Sequence, residues 1–370
     1  MSSLQNLKKI LKFSQKLVSP FLISNFTVMK KIFFILAAFL LIIGSGYSFY
    51  HFNTVTEIPT VAKLEYKGMN LVAPIKELKN TTFEELKSYN INSISLIPYA
   101  FVDVEDASVH YNNKRQWWGE RTEGIIASNQ LALDYKMTVM LKPHLWVNHN
   151  FYTGDLDFST DAEWKKWEAD YEKYILDFAQ LAQNENIALF CFGTELGNAV
   201  AKRPQYWSQL IQKIRKIYSG KLTYAANWDD FDKVPFWNEL DYIGIDAYFP
   251  LSDATTPAVA DLNKAWEQHI VKMEKLHAKI NKKILFTEFG YRNSDKAAKE
   301  PWTESQNSIN NLAQANAYES LFQTLTKKAW FAGGFAWKWY ADDYHKEKKN
   351  NVDYTPQEKP ALETIKKWYK

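Results

Sequence analysis

Two glutamates at the ends of apolar segments are the residues of this sequence that could do chemistry. Glu195 ends the apolar run in CFGTELGN, and Glu288 ends the one in LFTEFGY. Buried strands usually end in turn residues, and a buried carboxylate without a partner is costly. Either glutamate alone could still be structural. Two carboxylates at the tips of two strands of one barrel are what acid-catalysed cleavage of a glycosidic bond requires.

Other polar and aromatic side chains are expected at the same rim, because a barrel keeps its chemistry at the carboxyl ends of its strands. Such convergence is typical of a cleft for a polar substrate. The candidate substrate-binding residues at the ends of predicted strands are Lys142, His144, Trp146, Asn227, Trp228, Tyr248, Trp337 and Trp339. Trp118, in the long loop after the second predicted strand, is a further candidate.

Each candidate has a structural alternative. Lys142 and His144 could be polar plugs of the barrel, and Asn227 could cap the turn after its strand. Tyr248 could bury its ring in the core rather than donate its hydroxyl to a catalytic carboxylate. Trp118 could pack its loop down onto the domain. The double glycine before Trp337 lets backbone and ring crowd together, which favours a platform for a sugar ring.

Eight strand segments alternate with amphipathic helices and must position these residues. The predicted strands are 67–74, 91–99, 136–146, 187–196, 221–228, 241–250, 283–291 and 333–340. The helix predicted from about 161 to 183 carries aromatic residues at helical spacing. Eight strand–helix repeats predict an α/β protein with a single (β/α)8 TIM barrel over residues 67–370. No glycine-rich dinucleotide fingerprint or phosphate loop follows any predicted strand.

The N-terminal 50 residues have the pattern of a targeting segment. Lys30 and Lys31 precede a continuous apolar run over 32–43, and small residues follow. This basic, apolar, small order is typical of a secretory signal. We therefore expect residues 1–50 to be an extension with a signal peptide or signal anchor, and 51–66 a linker. The protein is expected to be periplasmic or extracellular, or tethered to a membrane through residues 30–50, which cell fractionation can test.

Composition excludes several other classes of protein. The formal net charge is +3 and no basic run has interleaved aromatics, so we expect no nucleic-acid partner. Cys191 is the single cysteine, which excludes an internal disulfide and a cysteine-based metal site. The seven histidines lack metal-ligand spacing, and we expect no metal or other cofactor. Aromatic residues make up 16%, either for a bulky core or for a cleft in which sugar rings stack.

With these residues in view, the sequence resembles glycoside hydrolase family 113, a bacterial β-mannanase-like family of the retaining (β/α)8 clan A. The matching stretches include LKPHLW, FGTELGN, LTYAANW, ILFTEFGYRN, QANAYESLF and FAWKWY, and the resemblance covers about residues 65–369. It implies that Glu195 is the general acid and base, and that Glu288 is the nucleophile. Most of the clan has asparagine directly before the acid/base, where this chain has Thr194.

The resemblance implies hydrolysis of β-1,4-mannosidic linkages in mannan or manno-oligosaccharides by double displacement. We expect the protein to be a monomer. In such a mechanism the charge of Glu288 raises the pKa of Glu195 and keeps it protonated for the first step. Tyr248 would orient Glu288, and Trp337 would stack on the sugar being cleaved. Two alternatives stay open: a retaining hydrolase of another β-glycan, and a non-catalytic carbohydrate-binding barrel. The intact carboxylate pair argues against the second.

Overall fold

Eight parallel strands close into a barrel in the computed structural model of the protein. The structure describes residues 63–147, 151–303, 308–341 and 351–370. The predicted signal or anchor segment, and the predicted linker up to residue 62, lie outside the described residues. The closed ring of strands confirms the predicted (β/α)8 TIM barrel.

The barrel strands follow one another around the ring in chain order. They are β1 (Tyr66–Leu71), β2 (Ser93–Leu96), β5 (Thr138–Leu141), β7 (Leu189–Thr194), β8 (Lys221–Asn227), β9 (Ile243–Asp246), β10 (Ile284–Phe289) and β11 (Phe331–Trp339). Three more strands form a separate sheet: β3 (Tyr99–Asp103), β4 (Ser108–His110) and β6 (His144–Trp146).

The α-helices between the strands surround the barrel. They are α1 (Asn80–Ser88), α2 (Thr122–Asp134), α3 (Asp161–Asn184), α4 (Gly197–Lys202), α5 (Pro204–Ile217), α6 (Val259–Ile280), α7 (Asn311–Leu325) and α8 (Pro360–Trp368). Across the part of the chain that the structure describes, no helix combines the length and apolarity needed to cross a membrane.

Helix α3 shows how the sequence fixes these elements. Thr160 and Glu163 form a capping box at its start, which supplies partners for otherwise unpaired backbone N–H groups. Its buried face carries aromatic residues at helical spacing, including Trp167, Tyr171 and Tyr174. The ring of Trp167 stacks on that of Tyr171 with centroids 4.9 Å apart. The predicted helix ends at residue 183, one residue before the observed end at Asn184.

The barrel interior is a small apolar cluster of its own. Its members are Tyr66, Met140, Leu189, Cys191, Ala225, Tyr242, Leu285, Ala332 and Phe335. Burial raises the pKa of the Cys191 thiol to about 12, so this cysteine is an inert core residue. The filled interior leaves the carboxyl ends of the strands as the place for a site.

The predicted third strand, 136–146, divides into two. β5 ends at Leu141, and β6 begins at His144 after Pro143. Proline has no N–H to donate to a ladder, so the barrel strand stops there. β6 then leaves the barrel and pairs in parallel with β3. The small sheet β4-β3-β6, which we call the rim sheet, adds a wall at the carboxyl end of the barrel.

Candidate active site

A cavity of about 780 Å³ opens at the carboxyl ends of the barrel strands. Glu195 and Glu288 both line it. The other lining residues are Tyr99, His144, Leu145, Trp146, Phe151, Tyr152, Thr153, Thr194, Asn227, Trp228, Asp229, Asp246, Tyr248, Arg292, Trp302, Trp337 and Tyr354. The structure thus brings together the predicted carboxylate pair and a wall of aromatic and polar side chains.

Glu195 follows β7 in a left-handed backbone conformation, with φ of 52°. This conformation costs a non-glycine residue roughly 1–2 kcal/mol. Hydrogen bonds on both sides hold it: the N–H of Glu195 donates to the carbonyl of Ala225 at 2.8 Å, and the N–H of Leu196 donates to the Tyr224 hydroxyl at 2.8 Å.

Burial, together with the negative charges of Asp246 and Glu288, raises the pKa of Glu195 well above its ordinary value. A carboxyl group kept protonated in this way can act as a general acid.

Glu288 lies near the end of β10 with a donor on each carboxylate oxygen. The ammonium of Lys142 lies 2.5 Å from Oε1, and the hydroxyl of Tyr248 donates to Oε2 at 2.7 Å. The two contacts fix the orientation of the carboxylate. A held, negatively charged carboxylate beside a protonated carboxyl is the arrangement that a nucleophile and an acid require.

Lys142 is completely buried and joins two carboxylates. Its ammonium lies 3.0 and 3.1 Å from the two oxygens of Asp246, in addition to its contact with Glu288. Thr287 donates its hydroxyl to Asp246 at 2.7 Å. Burial alone would lower the pKa of Lys142, but the charges of Asp246 and Glu288 outweigh it and raise that pKa. Lys142 is therefore a charged support beneath Glu288.

His144 and Thr194 line the cavity, and each has a buried polar atom that makes no hydrogen bond among the described residues. These atoms are Oγ1 of Thr194 and Nε2 of His144, which lies 3.4 Å from Oε1 of Glu288. An unsatisfied buried polar group costs about 1–3 kcal/mol, which a substrate hydroxyl would offset. Burial and the charge of Lys142 lower the pKa of His144, so its ring is neutral. The ring planes of Trp337 and His144 are nearly parallel, with an angle of 7° between them and ring centroids 6.2 Å apart.

The model of Glycoside Hydrolase Family 113 matches residues 76–359, well over half of the chain. The chain belongs to glycoside hydrolase family 113. It is thus a glycoside hydrolase. Glycoside hydrolysis generally uses two carboxyl groups, and Glu195 and Glu288 both line the cavity. No match was found among curated protein sequences.

Solved structures of family 113 share the fold. The β-mannanase AaManA from Alicyclobacillus acidocaldarius, in complex with ManMIm, is 20% identical with a TM-score of 0.71, covering 84% of this chain and 98% of that one. A family 113 β-1,4-mannanase complex is 22% identical with a TM-score of 0.71, covering 83% and 99%. A family 5 mannosidase from Rhizomucor miehei is 13% identical with a TM-score of 0.58, covering 83% and 92%.

Three of the predicted substrate-binding residues of this family 113 chain do not line the cavity. Lys142 was expected to contact sugar, but its ammonium is fully used by two carboxylates. Trp339 is fully buried against Tyr89, because the pairing register between β1 and β11 shifts just before it. Trp118 is half-buried and packs on the core, while its neighbour Trp117 is exposed.

Several cavity residues were missed from the sequence because they lie on loops. The hydroxyl of Tyr152 accepts a hydrogen bond from Nδ2 of Asn227 at 2.7 Å. Trp302 stacks on Trp228 with centroids 5.0 Å apart and planes 21° apart. Strand and helix periodicity carries no information about such loops. The only signal of these cavity residues in the sequence was an aromatic residue within an otherwise polar stretch.

Trp337 and Trp339 provide a matched pair of substitutions. Trp337→Ala should lower kcat on the order of 10²-fold with little change in melting temperature, because the ring lines the cavity and would position the sugar. Trp339→Ala should instead lower the free energy of unfolding by about 3–5 kcal/mol, because the ring is fully buried. Kinetics and thermal unfolding of both variants check this. Equal losses of stability would show that Trp337 is a packing residue.

Proposed function

We propose that this protein is a retaining β-mannan hydrolase. The observation that carries the proposal is the unequal environment of its two carboxyl groups. Glu288 is held by a cation and a phenol, whereas burial and neighbouring negative charge favour the protonated form of Glu195. Two carboxyl groups with different protonation states in one cavity are the requirement for an acid and a nucleophile.

In the first step Glu195 donates its proton to the glycosidic oxygen while Glu288 attacks the anomeric carbon. The bond from that carbon to the leaving oxygen breaks, and a glycosyl ester of Glu288 forms. The negative charge of Glu288 is then gone, so Glu195 can act as a base. It takes a proton from water, the water oxygen attacks the anomeric carbon, and the ester bond breaks. Lys142 and Tyr248 keep the leaving carboxylate in place.

One observation favours mannan, and two others fit a pyranose of any kind. The family 113 neighbours are β-mannanases, although their low identity carries only the fold to this chain. The ring of Trp337 offers an apolar face to a pyranose, beside the neutral ring of His144. Thr194, which lines the cavity, adds a hydroxyl that makes no hydrogen bond among the described residues.

The full-length chain should release sugars from β-1,4-mannan and manno-oligosaccharides faster than from β-1,4-glucan or xylan. ¹H NMR during the first minutes should show the β-anomer of the new reducing end before mutarotation, because double displacement retains configuration. Glu288→Ala is the control for contaminating activity and should be silent. Faster cleavage of glucan would refute the substrate, and initial formation of the α-anomer would refute the mechanism.

A further inference from the structure

The segment 353–359 is a loop between β11 and α8, and we call it the C-terminal strap. Its polar side chains are buried: Asp353, Thr355, Gln357 and Lys359 are each 9% exposed or less. Loops usually run over the surface, because buried polar groups need partners that water would otherwise supply. None of these four side chains takes part in the proposed chemistry, so their burial indicates that the strap has another task.

The C-terminal strap is fixed to the ends of two barrel strands. After β10, the N–H of Asn293 donates to the carbonyl of Asp353 at 3.1 Å, and the N–H of Asp353 donates to Oδ1 of Asn293 at 2.8 Å. After β11, the N–H of Tyr340 donates to Oε1 of Gln357 at 2.8 Å, and Nε2 of Gln357 donates to the carbonyl of Tyr340 at 3.0 Å. Because each link is made in both directions, the path of the strap is set by the barrel itself.

The C-terminal strap places the ring of Tyr354 at the wall of the catalytic cavity. The carbonyl of Tyr354 accepts a hydrogen bond from Nε2 of Gln314 at 3.0 Å, and its hydroxyl donates to the carbonyl of Pro301. The guanidinium of Arg292 lies over the ring, 4.7 Å from its centroid. The ring is therefore held at its backbone, at its hydroxyl and on one face.

Tyr354 packs on the tyrosine that holds the nucleophile. Its ring meets that of Tyr248 edge to face, with centroids 6.1 Å apart and planes at 68°. The hydroxyl of Tyr248, at the far end of that ring, donates to Oε2 of Glu288 at 2.7 Å. Burial and the charge of Glu288 raise the pKa of Tyr248 well above its ordinary value, so the hydroxyl keeps the proton that it donates. A small tilt of the ring would move this hydroxyl away from the carboxylate.

We propose that Tyr354 is a positioning residue for the nucleophile, which it serves by fixing the tilt at which Tyr248 donates to Glu288. This inference rests on the proposed function, because it takes Glu288 as the group that attacks the anomeric carbon. Tyr354 acts through Tyr248, so its loss should slow the attack and leave the binding of the sugar unchanged. A misplacement of about 1 Å is enough to cost a large part of a catalytic rate.

The test measures the attack of Glu288 by itself, in the full-length protein. The probe is a β-mannobiosyl fluoride whose reacting sugar carries fluorine in place of its 2-hydroxyl. Glu288 bonds to the anomeric carbon, the carbon–fluorine bond there breaks, and fluoride leaves with the electron pair without a proton from Glu195. The 2-fluorine slows hydrolysis of the resulting ester, so labelled protein accumulates and intact mass spectrometry counts it. Labelling at several probe concentrations gives a maximal rate and a half-saturating concentration.

A double-variant cycle shows whether Tyr354 acts through Tyr248. Tyr354→Leu should lower the maximal labelling rate by roughly 2- to 10-fold, the range of one aromatic pair, with the half-saturating concentration unchanged. Tyr248→Phe should lower it by roughly 10- to 100-fold, because a hydrogen bond to a charged carboxylate is lost. In the Tyr248→Phe background, Tyr354→Leu should change the rate by less than about 2-fold, since the bond that the ring holds no longer exists.

Two control variants separate positioning from a general loss of structure, and all labelling is done well below the measured melting temperatures. Tyr354→Phe keeps the ring and loses the hydroxyl, so it should label within about 2-fold of the wild-type rate. Trp302→Leu removes another ring of the cavity, one that stacks on Trp228, and should change the rate by the same factor in both backgrounds.

Three outcomes would overturn the inference and leave the proposed function standing. They are an equal effect of Tyr354→Leu in both backgrounds, a Tyr354→Phe variant as slow as Tyr354→Leu, and a change confined to the half-saturating concentration. A wild-type protein that is not labelled at Glu288 would refute the proposed function, and the inference with it.

Discussion

Replacing Glu288 by alanine should abolish hydrolysis of every substrate, with a loss in kcat on the order of 10⁴-fold or more, because no nucleophile remains. The variant should still fold. Lys142 keeps its two contacts with Asp246, so its buried ammonium is not left without a counter-charge. Circular dichroism and thermal unfolding, measured beside the kinetics, separate a missing nucleophile from a misfolded barrel.

Azide should restore part of the activity and report the role of each glutamate. In Glu288→Ala the small anion can occupy the vacated space, attack an activated β-glycoside directly and give the α-azide. In Glu195→Ala the first step survives on a substrate with a good leaving group, and the glycosyl ester of Glu288 accumulates. Azide then attacks that ester and gives the β-azide. NMR of the two products therefore distinguishes nucleophile from acid.

The double variant Glu195→Ala/Glu288→Ala is the control and should give no azide product above the uncatalysed rate. An α-azide from Glu195→Ala would reverse the assignment of roles. Near-normal turnover in either single variant would show that another group does the chemistry. Because the readout is the configuration of a product, a general loss of stability cannot imitate it.

The barrel and the carboxylate pair could be predicted because both leave local signals in the sequence. Apolar strands and amphipathic helices have fixed periods, and each glutamate follows an apolar run directly. The position of Lys142 was also predicted at the rim, but its role was not. Its partners Asp246 and Glu288 are 104 and 146 residues away in the chain, and no local pattern records such a pairing.

Alternation along strands was reliable only where the pairing register was regular. In β7, Leu189 and Cys191 both point into the barrel, as alternation requires. In β10 simple alternation would place Glu288 with Phe286 in the outer layer, but the register shifts between these two residues. Such irregularities re-aim side chains next to active sites. Trp339 was misjudged for the same reason, since the register of β1 with β11 shifts beside it.

Replacing Lys142 by methionine should lower kcat on the order of 10²-fold, because the charge that holds Glu288 is lost. It should also move the basic limb of the kcat/KM profile. That limb follows the loss of the proton from Glu195 in the free enzyme. The positive charge of Lys142 lowers the pKa of Glu195, so its removal raises that pKa further. The basic limb should therefore move to higher pH, while the protein loses about 3–5 kcal/mol of stability.

Asp246→Asn should move the same limb in the opposite direction. The negative charge of Asp246 raises the pKa of Glu195, and the neutral amide removes that effect, so Glu195 loses its proton at lower pH. Thr287→Val is the matched control, because it removes a hydrogen bond to Asp246 without changing any charge, and it should leave the limb in place. Kinetics between pH 4 and 10 on an unactivated oligosaccharide, which needs the proton of Glu195, measure all three variants. If Lys142→Met and Asp246→Asn only destabilised the fold, kcat would fall without a shift of the limb, and the electrostatic role of this buried network would be refuted.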